Sequence, residues 1–271
     1  MMRMEISKQK GFINVKGTDI YYESAGEGEA LVLLHGFPLD SRMWDPQMDM
    51  LSKKFQVIRF DIRGLGKTID PGLTFTLFDD ISSLLQKLQI KSANFLGCSF
   101  GGYMGIEFVL AYPKMAHRLI LVSSGGFLPV SEDMQLQNKR FREEWTLGNI
   151  DEALDINLHL LLDGPDQEIG RVQTNRLWLK EIYREIYSKE LSQNRPTWLD
   201  PHPSGRLAEV NVPTLVISGE LDHFDYKKTA DMLAANIPNA KHITFNKSAH
   251  FPNIDSPNEF NDTIVSFLRN N

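Results

Sequence analysis

One serine, one acid and one late histidine in this chain are spaced so that they could do covalent chemistry together. The serine is Ser99, set in Gly97-Cys98-Ser99-Phe100-Gly101-Gly102. A mostly apolar run, Ala93 to Leu96, leads into it, and a helical pattern, Tyr103 to Leu110, leads out. A serine with glycine two positions to either side, between a strand and a helix, is the pattern of a sharp turn that projects a hydroxyl. The strained backbone of such a turn crowds its neighbours, which is why small residues are needed there. The turn also aims the first amides of the helix at an oxyanion forming beside the serine. The same six residues would fit a glycine-rich turn with an incidental serine. A turn centred on Cys98 would put Leu96 and Phe100 where glycines are wanted, so Cys98 reads as a small neighbour at the strand end.

The acid and the histidine come later. Asp222 ends Gly219-Glu220-Leu221-Asp222, just after a strand at Thr214 to Ser218. His250 lies in Lys247-Ser248-Ala249-His250-Phe251-Pro252, just after a last strand at Lys241 to Phe245. Ser99, Asp222 and His250 therefore each follow a strand and can meet at one sheet edge, in the order nucleophile, acid, histidine. Competitors exist for two of the roles. Glu220 sits too early in its turn, and Asp225 reads as solvated or entering the next helix. His223 could line a pocket, and His242 falls inside a strand.

The elements that must position these residues read as a parallel α/β sheet. Phe12 to Val15 and Ile20 to Tyr22 look like an opening antiparallel hairpin. Ala30 to Leu34 is continuously apolar, as a strand buried on both faces should be. It ends in His35-Gly36-Phe37-Pro38, where Gly36 allows close backbone approach and the Phe37 amide can face a site; His35 reads as a structural loop residue. Helical stretches are expected at Met43 to Phe55 and Thr76 to Gln89, with a strand at Gln56 to Phe60 between them. Gly66-Lys67-Thr68 resembles the tail of a phosphate loop, but Asp61 stands where that loop needs glycine and no helix follows. Asp61 and Arg63 are expected to pin their loop by backbone hydrogen bonds and a local ion pair. Another strand is expected at Arg118 to Val122.

From Phe127 to Gly205 no good strand pattern occurs. Helices are expected at Asp133 to Thr146, Asn149 to Leu162 and Ile169 to Lys189, with scattered aromatics at Phe141, Trp145, Trp178, Tyr183, Tyr187 and Trp198. The division predicted is a core at 1–126, a helical lid at 127–205 that shapes a pocket, and the rest of the core at 206–271. A helix at Lys227 to Asn236 and a final helix from Pro257 to Arg269 complete it.

Composition sets the bounds. The 271 residues suit one large domain with a modest insertion, and 42% apolar with 24% charged residues is a globular balance. A net charge of −6 without a basic run argues against nucleic acid as a partner. One cysteine precludes an internal disulfide, and the polar start, Met1 to Lys10, lacks a signal-peptide core. No apolar run reaches membrane-spanning length, so the expectation is a cytoplasmic protein. Seven histidines show no ligand spacing such as H-E-x-x-H, and neither a metal nor an organic cofactor is expected.

With these motifs in hand, the chain resembles the α/β-hydrolase family from Phe12 to its end. The segments that carry the likeness are His35-Gly36-Phe37-Pro38, Asp61-Ile62-Arg63-Gly64-Leu65-Gly66, the Ser99 turn, Gly219 to Asp222 and His250-Phe251-Pro252. Within the family it is most similar to small bacterial carboxylesterases and 3-oxoadipate enol-lactonase-like proteins. Thr68 and Ala249 depart from it, standing where serine and glycine are common. The resemblance and the residue chemistry together imply Ser99 as nucleophile, His250 as base, Asp222 as its orienting acid, and the Phe37 and Phe100 amides as an oxyanion hole. They imply hydrolysis of a small-molecule ester or lactone. The same triad would also serve a C–C bond hydrolase or a cofactor-free perhydrolase, and a non-enzymatic ligand sensor on this fold is the reading from another class. Of the basic residues, Arg140, Arg142 or Arg176 could reach the pocket to meet a carboxylated substrate.

Overall fold

A computed structural model describes residues 8–189 and 194–269. Residues 1–7, 190–193 and 270–271 lie outside the described residues, and with them most of the polar start and four positions of the expected lid. The strands are β1 (Lys8–Val15), β2 (Thr18–Ala25), β3 (Ala30–Leu34), β4 (Gln56–Phe60), β5 (Ala93–Cys98), β6 (Ala116–Val122), β7 (Thr214–Gly219) and β8 (Lys241–Phe245). They form one eight-stranded sheet in the order β1-β2-β4-β3-β5-β6-β7-β8. Only β2 runs against its neighbours; β4, β3, β5, β6, β7 and β8 pair in parallel. The central strands are buried from end to end, β3 and β5 wholly so. That burial explains their unbroken apolar runs, because helices cover both faces of a parallel sheet. Outer strands β1 and β8 are largely exposed and carry polar residues accordingly.

The helices that position the site are α1 (Asp45–Leu51), α2 (Leu77–Lys87) and α3 (Phe100–Ala111), followed by α4 (Glu132–Leu147), α5 (Ile150–Leu158) and α6 (Arg176–Tyr187). After β7 come α7 (Phe224–Asn236), α8 (Pro252–Asp255) and α9 (Pro257–Arg269). In α2, Thr76 caps the N-terminus through Asp79 N, and Leu77, Ile81, Leu84 and Leu85 are buried. Each such side chain contributes about 1.5–3 kcal/mol by leaving water. Among the described residues no strand interrupts α4 to α6, which sit between β6 and β7. No helix among them is long and apolar enough to cross a membrane.

Four expected helices end or begin elsewhere. The helix expected from Lys227 begins three residues earlier, at Phe224, where His223 caps it. The stretch from Met43 is a 3-10 turn, Ser41–Trp44, and then the short α1, because Ser52 to Phe55 turns back toward β4. The expected helix to Leu162 leaves regular α geometry at His159–Asp163, which is a π-turn. The helix expected from Ile169 starts only at Arg176, since Gly170 takes a positive φ inside the expected run and Asp163 organises a loop there instead. Its carboxylate accepts from Gly170 N (2.8 Å), Val172 N (3.1 Å) and Arg176 Nη1 (2.8 Å).

Candidate active site

Ser99 is set by the sharp turn from β5 into α3. Its φ of 54° and ψ of −117° fall in a region that side chains rarely adopt. The surroundings hold it there: Ser99 N donates to Val122 O at 2.8 Å, tying the turn to the end of β6. A Cβ on Gly97 would collide with Gly101 O, and one on Gly101 with Leu34 O. The two glycines are thus a steric requirement of the turn. Cys98 points into the core, wholly buried. Burial, and then the nearby Asp222 charge, push its thiol well above the ordinary range, which disfavours a nucleophilic thiolate.

The acid and the histidine meet. Asp222 Oδ2 lies 2.9 Å from His250 Nδ1, and the two side chains are 0% and 2% exposed. The other carboxylate oxygen accepts from His223 N at 2.8 Å. The His250 backbone is held from two sides: His250 N donates to Leu161 O in the π-turn (3.0 Å), and the Cys98 thiol lies 4.0 Å from His250 O. That second contact seats the histidine loop on the residue beside Ser99. The Tyr226 ring packs against the imidazole with centroids 4.0 Å apart. With Nδ1–H donating to Asp222, Nε2 is left as the acceptor. Ser99 Oγ has no hydrogen bond among the described residues; such contacts commonly tighten only with substrate bound.

The loop after β3 closes the other side. A Cβ on Gly36 would lie 3.3 Å from Ser99 Cβ, so the Phe37 backbone runs close past the serine. Neither the Phe37 nor the Phe100 amide is hydrogen-bonded among the described residues. Their rings meet edge to face at 6.3 Å. A cavity of about 490 Å³ opens over Ser99, walled mainly by apolar groups including Phe37, Phe75, Phe100, Met134, Trp198 and Tyr226.

The remaining expectations sort by geometry. His35 is structural: its Nε2 accepts from Ile62 N (3.0 Å), and burial lowers its pKa, keeping the ring neutral. Asp61 pins its loop through Ser41 N (2.9 Å) and Lys67 N (2.8 Å). The expected ion pair of Arg63 is not local: its partner is the buried Asp80 of α2, at 2.6 and 2.8 Å. Glu220 is exposed. Asp225 lines the cavity and accepts from Ser131 N and Oγ, and His223 is buried against Asp133, 3.0 Å away. His242 bonds Ser218 Oγ on the surface side of β8. Arg140, Arg142 and Arg176 do not line the cavity; Arg176 is paired with Asp163. The cations that do are Arg63 and Arg195. Of the six scattered aromatics only Trp198 is in the cavity wall, while Phe141, Trp145, Tyr183 and Tyr187 pack on one another within the insertion. Sequence reasoning misses Tyr226, although its place four residues after Asp222, in the first turn of α7, brings it beside the histidine.

Known proteins share this arrangement of elements. The chain is 28% identical to a 2-hydroxy-6-oxononadienedioate/2-hydroxy-6-oxononatrienedioate hydrolase of Pseudomonas putida, over 95% of each chain. It is 27% identical to a pimeloyl-[acyl-carrier protein] methyl ester esterase of Pectobacterium atrosepticum, covering 92% of this chain and 98% of that one. The solved enol-lactonase of Burkholderia xenovorans LB400 superposes with a TM-score of 0.77 at 26% identity, covering 96% and 100%. The family model for the alpha/beta hydrolase fold matches residues 29–257, and the chain is a member of the α/β-hydrolase family.

Proposed function

We propose that this hydrolase cleaves a carboxylic ester or lactone through an acyl-enzyme on Ser99. The observation that carries the reading is the buried Asp222–His250 hydrogen bond, 2.9 Å long, on a loop seated against the strained serine turn. In this mechanism His250 Nε2 takes the Ser99 proton as Oγ attacks the acyl carbon. The carbonyl oxygen gathers charge facing the Phe37 and Phe100 amides, and each such donor is typically worth about 3 kcal/mol. The tetrahedral intermediate collapses as the imidazolium returns its proton to the departing alkoxide. Water, deprotonated by His250, then releases the acid and restores Ser99. Asp222 keeps the imidazole in the tautomer that leaves Nε2 free and offsets its positive charge. The helical insertion at 127–205 acts as the lid, contributing Leu128, Val130, Met134 and Trp198 to the cavity.

A largely apolar acyl group suits the walls. Arg63 is spent on Asp80, Thr18 Oγ1 and Val15 O, so it is not available to a substrate carboxylate. The second reading, C–C bond hydrolysis, rests on the Pseudomonas putida relative, whose named substrates are dicarboxylates. Hydrolysis of p-nitrophenyl esters of rising acyl length, wild type beside Ser99→Ala, tests the first reading. Turnover by wild type alone supports it. A folded wild type inactive on every ester, yet cleaving a 2-hydroxy-6-oxo-dienoate, would replace it with the second.

A further inference from the structure

Glu107 presents a buried carboxylate that the mechanism does not use. It lies on α3, two turns beyond Ser99, and is 0% exposed. One oxygen, Oε1, accepts from Leu199 N at 2.8 Å, while Oε2 is buried without a partner. Burial pushes the carboxyl up to about 7. An unpartnered buried carboxylate oxygen costs free energy, so the residue calls for an explanation in what it holds.

What it holds is the backbone beside Trp198. The segment from Asn194 to Leu199, which lines the cavity through Asn194, Arg195, Pro196 and Trp198, is tied to the loop before α2 and to α3. On one side of Trp198, Thr197 N donates to Phe75 O at 2.8 Å, and Asn194 Nδ2 to Leu73 O at 2.8 Å. On the other side the tie is Leu199 N to Glu107. Between these anchors the indole stands edge-on to Phe100 (5.9 Å) and Tyr103 (5.4 Å), both at 90°. Phe100 is the residue after the serine, and Phe75, Phe100 and Trp198 all line the cavity. Trp198 is 39% exposed, so packing alone does not fix it.

We infer that Glu107 is a specificity-positioning residue: by gripping the Leu199 amide it fixes Trp198 as a wall of the cavity and so limits the length of acyl chain accepted. The inference rests on the ester or lactone reading for its substrate class. It does not rest on that reading for its mechanics. Removing the grip lets the indole swing, and longer acyl chains gain relative to short ones.

The test compares wild type with Glu107→Met, which keeps the volume and removes the acceptor, and Glu107→Gln, which retains an acceptor oxygen. The readout is the ratio of kcat/KM for p-nitrophenyl octanoate to that for the acetate. Glu107→Met is expected to raise the ratio by roughly five- to tenfold, in the range a few methylene contacts command. Glu107→Gln should stay within about twofold of wild type. Trp198→Ala should raise the ratio as well, and adding Glu107→Met to it should change nothing further, since neighbours acting through one element are not additive. A folded Glu107→Met with the wild-type ratio, or additive effects in the double variant, overturns the inference. Amide hydrogen exchange across 194–205 supplies a readout without turnover: Glu107→Met should lose protection at Leu199, and unchanged protection there would overturn the grip. Wild type inactive on all esters would defeat the ester reading, with the exchange result still deciding the grip.

Discussion

Replacing Glu107 by glutamine should change how stability depends on pH, by an amount the structure sets. The carboxyl is held at about 7 in the fold and near 4.5 in the unfolded chain. Its folded form therefore binds the proton more tightly than its unfolded form. Stability from this group is complete below about pH 4.5, is lost as pH rises toward 7, and is flat above that. At about 1.4 kcal/mol per tenfold change in proton affinity, the full span comes to about 3 kcal/mol. About 0.8 kcal/mol of that is already lost by pH 5, leaving roughly 2–3 kcal/mol between pH 5 and pH 8. The glutamine side chain does not titrate, so the difference between the two proteins isolates this carboxyl from every other group. Glutamine also leaves an N–H where Oε2 was orphaned, but that offset is the same at every pH. Urea unfolding of both proteins at pH 5, 6, 7 and 8 gives the two curves. Wild type should fall relative to Glu107→Gln by roughly 2–3 kcal/mol across the range. Parallel curves would refute the reasoning, because they would mean the buried carboxyl titrates no differently in the fold.

Three further outcomes follow from the geometry. Asp222→Asn should keep the fold, judged by circular dichroism, and lose roughly three to four orders of magnitude in kcat because the imidazole is left in the wrong tautomer; near-wild-type turnover would remove Asp222 from the acid role. Gly101→Ala should unfold at markedly lower urea than wild type and lose activity, since its Cβ would meet Leu34 O of the neighbouring strand; an unchanged midpoint would mean the turn tolerates a side chain. Asp80→Ala should cost about 3–5 kcal/mol by stranding the Arg63 guanidinium, whereas Arg63→Met with Asp80→Leu should recover most of that loss. Equal stability of the single and double variants in urea would contradict a buried, mutually dependent pair.

Much of the scaffold was legible because the physical signal was local. β3, β4 and β8 match their expected spans end to end, since continuous apolar runs between turn residues have few other homes. The Ser99 turn was legible for the same reason: glycine spacing encodes a steric demand that Gly97 and Gly101 meet. The Asp222–His250 meeting could be expected from chain order alone, because strands that end at one sheet edge deliver their loops together. What escaped the sequence is set by long-range partners. The start of α6 depends on a buried carboxylate, Asp163, capturing the backbone of a loop. The partner of Arg63 is Asp80 on another helix, and no local pattern shows that pairing. The expected lid at 127–205 carries scattered aromatics, most of which pack on one another, and helical stripes do not distinguish that from facing a cavity.

The most direct test of the account is the site of covalent capture by a p-nitrophenyl alkylphosphonate, read by intact mass and peptide mapping of the folded protein. A single adduct on Ser99 in wild type, absent in Ser99→Ala and slowed severely in His250→Ala, is the result predicted. A folded wild type that hydrolyses esters while carrying no adduct, or carrying it on another residue, would contradict Ser99 as the nucleophile.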